Sequence, residues 1–301
     1  MSIPRSLNLL QEPITKQRFT LQSINGNEML TLPDKRIFPL VDGIPVLLDS
    51  HEITHGIPDP LQEDIKRYFR DMWDERNNKG VKFWQDDGYT YSLCRDAALI
   101  HAGKLSGKSV LILGAGRGHE ASVFNQAGAW TLTTDILVEG LRNHSIIGET
   151  AAMDAQKLYL ADNSFDIVYA QSMLMFVDPL RVVSEIRRVL KTGGRFISVE
   201  PLSGGFLFRL LFALLNRFTN YDILTTSPPN YMTLEGLTTI GSRFHRTIYK
   251  QLMVFSPLYH LFRIAGMHEL VRRYFSIETK MISNFPKLQR QCMFAVHVFE
   301  K

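Results

Sequence analysis

The residues best suited to chemistry lie between positions 110 and 171. Gly114, Ala115, Gly116 and Gly118 fall in VLILGAGRGHEA, where an apolar run gives way to a helical pattern. Small residues at such a junction let a ligand approach the backbone, and glycine takes turn angles that side chains disfavour. Asp135 closes the next apolar stretch, followed by Ile136. A carboxylate there can accept hydrogen bonds from both hydroxyls of a ribose. Asp154 and Ala155 lie in the following connection, placed to meet an adenine edge. A glycine loop alone is a weak signal, because several kinds of nucleotide binder carry one. A nicotinamide enzyme prefers G-x-G-x-x-G, which needs its third glycine at 119. That residue is His119, so the spacing disfavours such an enzyme.

These residues need a scaffold, and the pattern around them supplies one. SVLILG (109–114), WTLTTDI (130–136), FDIVYAQ (165–171) and RFISVE (195–200) read as strands. HEASVFNQAG (119–128) and residues 179–190 read as helices, the second ended by Gly193-Gly194. The alternation predicts βαβ units, hence an α/β fold with a mainly parallel sheet and helices on both faces. Ahead of it, residues 15–50 read as short strands with turns at Asn25-Gly26-Asn27 and Asp42-Gly43. The expected division is a small β module over 1–56 and a main domain over 57–301. Helices are expected from Leu61 through Trp73 and over 95–105. Residues 203–256 break the rhythm with GGFLFRLLFALLNRF and a turn-rich TTSPPNYMTLEG. They follow the RFISVE strand, outside the carboxyl ends of the sheet, and are expected to cap the substrate. SPPNY within them reads as a loop turn. A helix over 257–273 and two closing strands, FSIETKMIS and QCMFAVHVFE, complete the reading.

Composition bounds the function. A hydrophobic fraction of 45% with 21% charged residues excludes a disordered chain. Two cysteines, Cys94 and Cys292, cannot build a zinc ribbon or a disulfide framework, and no metal site is expected. With no long apolar run at the start, this points to a reducing, cytoplasmic setting. Residues 201–301 carry a net +7 against −3 for the first 200. Such a basic third attracts an acidic substrate, an anionic membrane or RNA, although solvated Lys and Arg around an apolar core is the plainer reading. FLFRLLFALL is too short to span a bilayer. A buried cap helix is preferred for it, ahead of a lipophilic pocket lining or peripheral membrane contact.

Together the motifs resemble a known family. Residues 108–201 are similar to class I S-adenosylmethionine-dependent methyltransferases of the small-molecule type. Gly114, Gly116 and Gly118 match the family's G-x-G-x-G after its first strand. DAQKLYLADNSFDIVYA resembles its acidic loop and fourth strand. DPLRVVSEIRRVLKTGGRFISVE resembles its helix, Lys-Pro-Gly-Gly turn and fifth strand, with Thr192 at the proline position. The resemblance implies a Rossmann-like, seven-stranded sheet, S-adenosylmethionine as cofactor, and methyl transfer to O, N or C of a small metabolite, apolar ones included. It places the 114–118 loop on the methionine moiety, Asp135 on the ribose, and Asp154 on the adenine amino group. Ala155 would offer its N–H to a ring nitrogen, and Gln171 would sit near the methionine end. The family's acidic residue two positions before the first glycine is Ile112 here, so the cofactor amine needs backbone carbonyls, water or another side chain. Tyr68, Trp73, Trp84 and Tyr89 precede the core in a region that folds over cofactor and substrate in similar enzymes. RIFPLVDGIPVLLDS (36–50) resembles the strand-turn-strand end of Trm112-like modules, without their cysteines.

A hydroxyl acceptor also needs a base, for which His245 is the candidate ahead of His119. An RNA methyltransferase, encouraged by the basic third, is disfavoured because no RNA-binding module is recognisable. A non-catalytic partner-binding protein is the other alternative, suggested by Ile112.

Overall fold

SVLIL forms a strand whose five residues are all buried, Val110 to Leu113 under apolar cover on both faces and Ser109 by hydrogen bonding (β5, Ser109–Leu113). The computed structural model describes residues 5–48, 92–116, 118–142, 147–202, 231–254 and 267–301, with Arg67, Gly205, Phe206, Leu210 and Leu214. The sheet built around β5 contains β1 (Thr20–Ile24), β2 (Asn27–Thr31), β3 (Ile37–Val41), β4 (Ile44–Leu47), β6 (Trp130–Asp135) and β7 (Glu149–Met153). β8 (Phe165–Gln171), β9 (Leu190–Pro201), β10 (Arg246–Leu252) and β11 (Phe294–Glu300) complete it. The order is β1-β2-β3-β4-β7-β6-β5-β8-β9-β11-β10. Strands β4 to β9 pair in parallel wherever they meet, and β11 is antiparallel to both β9 and β10. From β5 the chain winds outward to β6 and β7, then crosses back to β8 and β9. The reversal at β5 opens a crevice at the carboxyl ends of the strands.

The sheet is Rossmann-like, as expected, but has eleven strands among the described residues where seven were expected. Val46 and Leu47 of β4 pair with Ala152 and Met153 of β7, so the N-terminal meander β1–β4 extends the same sheet. Its turns fall at Asn25-Gly26 and Asp42-Gly43, where all four residues have positive φ.

Alternation along the strands feeds two cores. Leu111, Leu113, Val168, Ala170 and Phe196 join Val182, Val183, Ile186 and Val189 of α4 (Pro179–Val189) on one face. Val110, Ile112, Ile167, Tyr169, Ile197 and Val199 form the other, with Ala97 and Ala98 of α1 (92–99) and Ala121 and Phe124 of α2 (His119–Gln126). Helix α4 starts where it does because Asp178 accepts the N–H groups of Leu180 and Arg181, with Pro179 in the first turn. At the amino end of the sheet, Asp166 ties β8 to β5 by accepting Ser109 N–H at 3.0 Å and Ser109 Oγ at 2.7 Å.

Three expectations change. FSIETKMIS is not a strand: it belongs to α6 (His268–Asn284). Phe275 and Ile277 alternate as in a strand, yet Val271, Phe275, Glu278 and Ile282 share one side of a helix. That side is covered, with Val271, Glu278 and Ile282 fully buried. The strand pairing with β11 is instead β10, within the stretch read as a cap. Helix α1 ends at 99, not 105. Helices α3 (Val138–Leu141), α5 (Leu234–Gly241) and α7 (Pro286–Gln289) fill the remaining connections. The helix expected from Leu61 lies outside the described residues except for Arg67, which is helical, and the SPPN residues of 227–230 lie outside them entirely. Among the described residues, no helix is long and apolar enough to cross a membrane.

Candidate active site

Because β5, β6, β7, β8 and β9 run parallel, their carboxyl ends open on one side, and the predicted residues gather there. Gly114, Gly116 and Gly118 have φ of +59°, +52° and +70°, a region that other residues enter at a cost. A side chain at 114 would also collide with Cγ and Cβ of Met173. The loop is tied to β6: Ala115 N–H donates to the Thr134 carbonyl at 3.0 Å, and Gly116 N–H to Asp135 Oδ2 at 2.7 Å. Asp135 Oδ1 accepts Leu137 N–H at 2.9 Å. Burial pushes the Asp135 carboxyl up, opposed by the N–H groups of Leu137, Gly116 and Ile136.

Asp154 follows β7 and accepts Gln156 N–H at 2.8 Å, which shapes the turn that presents Ala155. Ala155 is half-buried against the core. Gln171 ends β8, and its Oε1 accepts the Tyr169 hydroxyl at 2.5 Å. Gly114, Ala115, Gly116, Gly118, Asp135, Ile136, Asp154, Ala155 and Gln171 thus share one rim. His245 does not. β10 runs in the same direction as β5 and begins at Arg246, which puts His245 at the opposite, amino end. There its N–H donates to the Glu300 carbonyl at 3.0 Å. His119 opens α2 next to the glycine loop and is exposed.

The sequence reading missed several groups at this rim. Glu200, near the end of β9, is fully buried, and its Oε1 accepts Ser198 Oγ at 3.1 Å and, more weakly, the N–H groups of Met173 and Leu174. Its Oε2 has no partner, and burial pushes the carboxyl up to about 8. Ser172 beside it has φ of +53° and a buried, unpartnered Oγ. Glu120, in the first turn of α2, is half-buried, and burial raises it too, with His119 and Arg95 acting the other way. An acid closing an apolar strand was the one signal for Glu200; Glu120 is indistinguishable from an ordinary first-turn acid.

Tyr68, Trp73, Trp84 and Tyr89 lie outside the described residues. Of the expected cap helix, Phe206, Leu210 and Leu214 are helical and exposed, Phe206 at 77%. A buried cap helix was expected there, but these three positions, each four apart, share an uncovered side. A groove of about 270 Å³ lined by His101, Arg195, Arg246 and Glu300 opens at the amino end, away from the glycine loop.

The fold and the rim define a Rossmann-like α/β protein with a glycine loop and two carboxylates at the carboxyl ends of its parallel strands. Residues 111–198 match the family described as "Methyltransferase domain", which supports S-adenosylmethionine as the cofactor. No curated protein matches the chain at a significant level. Among solved structures, the chain is similar to an S-adenosylmethionine-dependent methyltransferase from Mesorhizobium loti. That match has 16% identity, 68% of this chain and 96% of that one covered, and a TM-score of 0.45. A second from Archaeoglobus fulgidus shows 15% identity, 71% and 94% coverage, and a TM-score of 0.48. A third is phosphoethanolamine N-methyltransferase 2 of Haemonchus contortus in complex with S-adenosyl-L-methionine. It shows 18% identity, 68% and 51% coverage, and a TM-score of 0.46.

Proposed function

We propose that the chain binds S-adenosylmethionine at the carboxyl ends of β5 to β8 and transfers its methyl group to a small-molecule acceptor. The observation that carries this reading is the Asp135 carboxylate joined to the Gly116 N–H at the strand reversal. Three features suit the cofactor. The loop offers bare backbone at Gly114, Gly116 and Gly118, two carboxylates stand at neighbouring strand ends, and Ser172 Oγ and Glu200 Oε2 are buried and unpartnered. Asp135 holds the ribose, Asp154 and the Ala155 N–H the adenine, and the 114–118 loop with Gln171 the methionine part. Bound S-adenosylmethionine supplies a methyl group already activated by a sulfonium. The residues of this chain therefore have to align the acceptor and keep water out. No base is assigned, since His245 lies at the other end of the sheet.

The test is calorimetric titration with S-adenosylmethionine and S-adenosylhomocysteine. Wild type is expected to bind with micromolar affinity, about −8 kcal/mol. Asp135→Ala should weaken it by about tenfold to a hundredfold, the worth of one or two charge-assisted hydrogen bonds. A folded wild-type protein that binds neither ligand would sink the enzyme reading.

The missing acid at Ile112 has a replacement in this reading. Ile112 is buried among apolar residues, whereas Glu120 stands two residues beyond Gly118, half-buried in the first turn of α2. Glu120 then holds the cofactor amine. Glu120→Gln is expected to weaken S-adenosylmethionine about tenfold and leave 5′-methylthioadenosine, which lacks that amine, unchanged. Equal losses for both ligands would remove Glu120 from this role.

A further inference from the structure

Helix α6 is apolar on two sides, one packed against the sheet and the other largely exposed. Val271, Phe275 and Ile282 face the sheet, Ile282 packing with Val254 and Cys292. About a quarter-turn away, Met267, Leu270, Ile277, Met281 and Phe285 are all exposed, Ile277 at 57% and Phe285 at 59%. Their spacing, with half-buried Tyr274 between Leu270 and Ile277, follows the three-four rhythm that keeps residues in one line along a helix. The stripe runs the length of the 17-residue helix, about 25 Å. Single exposed apolar residues are ordinary, but a continuous row of them marks a contact surface.

The charges beside the stripe select what contacts it. Arg273 and Lys280, seven residues apart, border its outer side, and Lys287 and Arg290 follow in and after α7. All four are exposed, while Glu278, the acid in the middle of the helix, is buried on the sheet side. Glu269 is the one exposed acid on α6 and sits 3.5 Å from Arg273. A second copy laid against this face would set basic residues against basic residues. Five side chains on one helix also fall short of the about 800 Å² per partner of a standard protein interface. An anionic bilayer meets both conditions: its acyl region takes the apolar row, and the Lys and Arg stems reach up to the headgroups.

We infer that the exposed face of α6, with Phe285 at its end, is a docking surface for an anionic membrane, on which the protein rests without crossing it. This inference is independent of the methyl-transfer reading.

The test is co-sedimentation of the full chain with vesicles of phosphatidylcholine alone and of an equimolar mixture with phosphatidylglycerol. Binding to the anionic vesicles is expected to exceed binding to the neutral ones by about tenfold or more, and to fall with added salt. Ile277→Glu combined with Met281→Glu should abolish it while leaving the melting temperature nearly unchanged, since both residues are exposed. Arg273→Glu combined with Lys280→Glu should remove the preference for anionic vesicles. Folded wild type that ignores anionic vesicles overturns the inference, as does vesicle binding that survives both double variants. A dimer in sedimentation velocity that dissociates in the Ile277→Glu, Met281→Glu variant would give the face to a second copy instead. Loss of cooperative melting in that variant would give it to another segment of this chain.

Discussion

A Gly114→Ala variant is expected to lose about 3 kcal/mol of stability and to bind S-adenosylmethionine at least tenfold more weakly. Two costs add at this one position. The backbone sits at φ +59°, which a residue with a Cβ enters at about 1–2 kcal/mol. The new methyl also meets Cγ and Cβ of buried Met173, an overlap of the kind that costs about 1–3 kcal/mol. Because Cβ of Met173 is close as well as Cγ, a rotamer change in methionine gives only partial relief. The steric share can be separated by a double-mutant cycle with Met173→Ala, read by urea denaturation. The double variant should be more stable than the two single losses predict, and the backbone share should remain. Strict additivity would show that Met173 is not the obstacle.

The second large effect is a pH dependence of stability with opposing contributions from two buried groups. Glu200 has its carboxyl raised to about 8 from an ordinary 4.5 by burial, opposed by the Leu174 and Met173 N–H groups and the Ser198 hydroxyl. Between those values the folded protein keeps a proton that the unfolded chain releases. Stability from this group therefore falls as pH rises from about 4.5 to about 8, by at most about 1.4 kcal/mol per unit. His297 is the reverse case: burial holds it down to about 4 from 6.5. Only the unfolded chain takes its proton in that window, so stability falls as pH drops from about 6.5 to about 4. The two slopes oppose one another over the shared range, giving a plateau there and a decline above it. Glu200→Gln should match wild type near pH 4.5 and exceed it by a few kcal/mol near pH 8. His297→Phe should remove the loss on the acid side. Denaturant unfolding at a series of pH values reads both, and an unchanged profile for Glu200→Gln would show that its carboxyl is ionised in the folded state.

The sequence was most readable where periodicity and punctuation agreed. β5 and β6 were apolar runs closed by a glycine loop and a carboxylate, α2 was framed by Gly118 and Gly128, and α4 was opened by Asp178; the Gly193-Gly194 expected to end α4 lies inside β9, which starts at Leu190 directly after the helix. β7 escaped notice because ETAAM carries a single β-branched residue and gains strand character only from β6 and β4 on either side. Residues 275–283 alternate locally, and only the buried partners Val271 and Ile282, lying just outside or at the end of that window, reveal a helical period. The rim residues were legible because they sit next to strand ends. His245 was misplaced for a related reason: a histidine beside a strand belongs to the site only at one end, and strand direction is a property of the sheet. Ser172 carried no signal as a site group and Glu200 only its place near a strand end, because their unpaired oxygens arise from three-dimensional enclosure.

The pairing of β4 with β7 also sets the order in which the protein can be completed during synthesis. Val46 leaves the ribosome about a hundred residues before its partner Ala152, some five to twenty seconds at ordinary elongation rates. The β1–β4 meander can form from neighbours alone, yet it must wait with the β4 edge open, and such an edge invites pairing with other chains. Closing this long-range contact is a late, slow step. β4 is short, with Pro45 inside it, and both features blunt the edge during the wait.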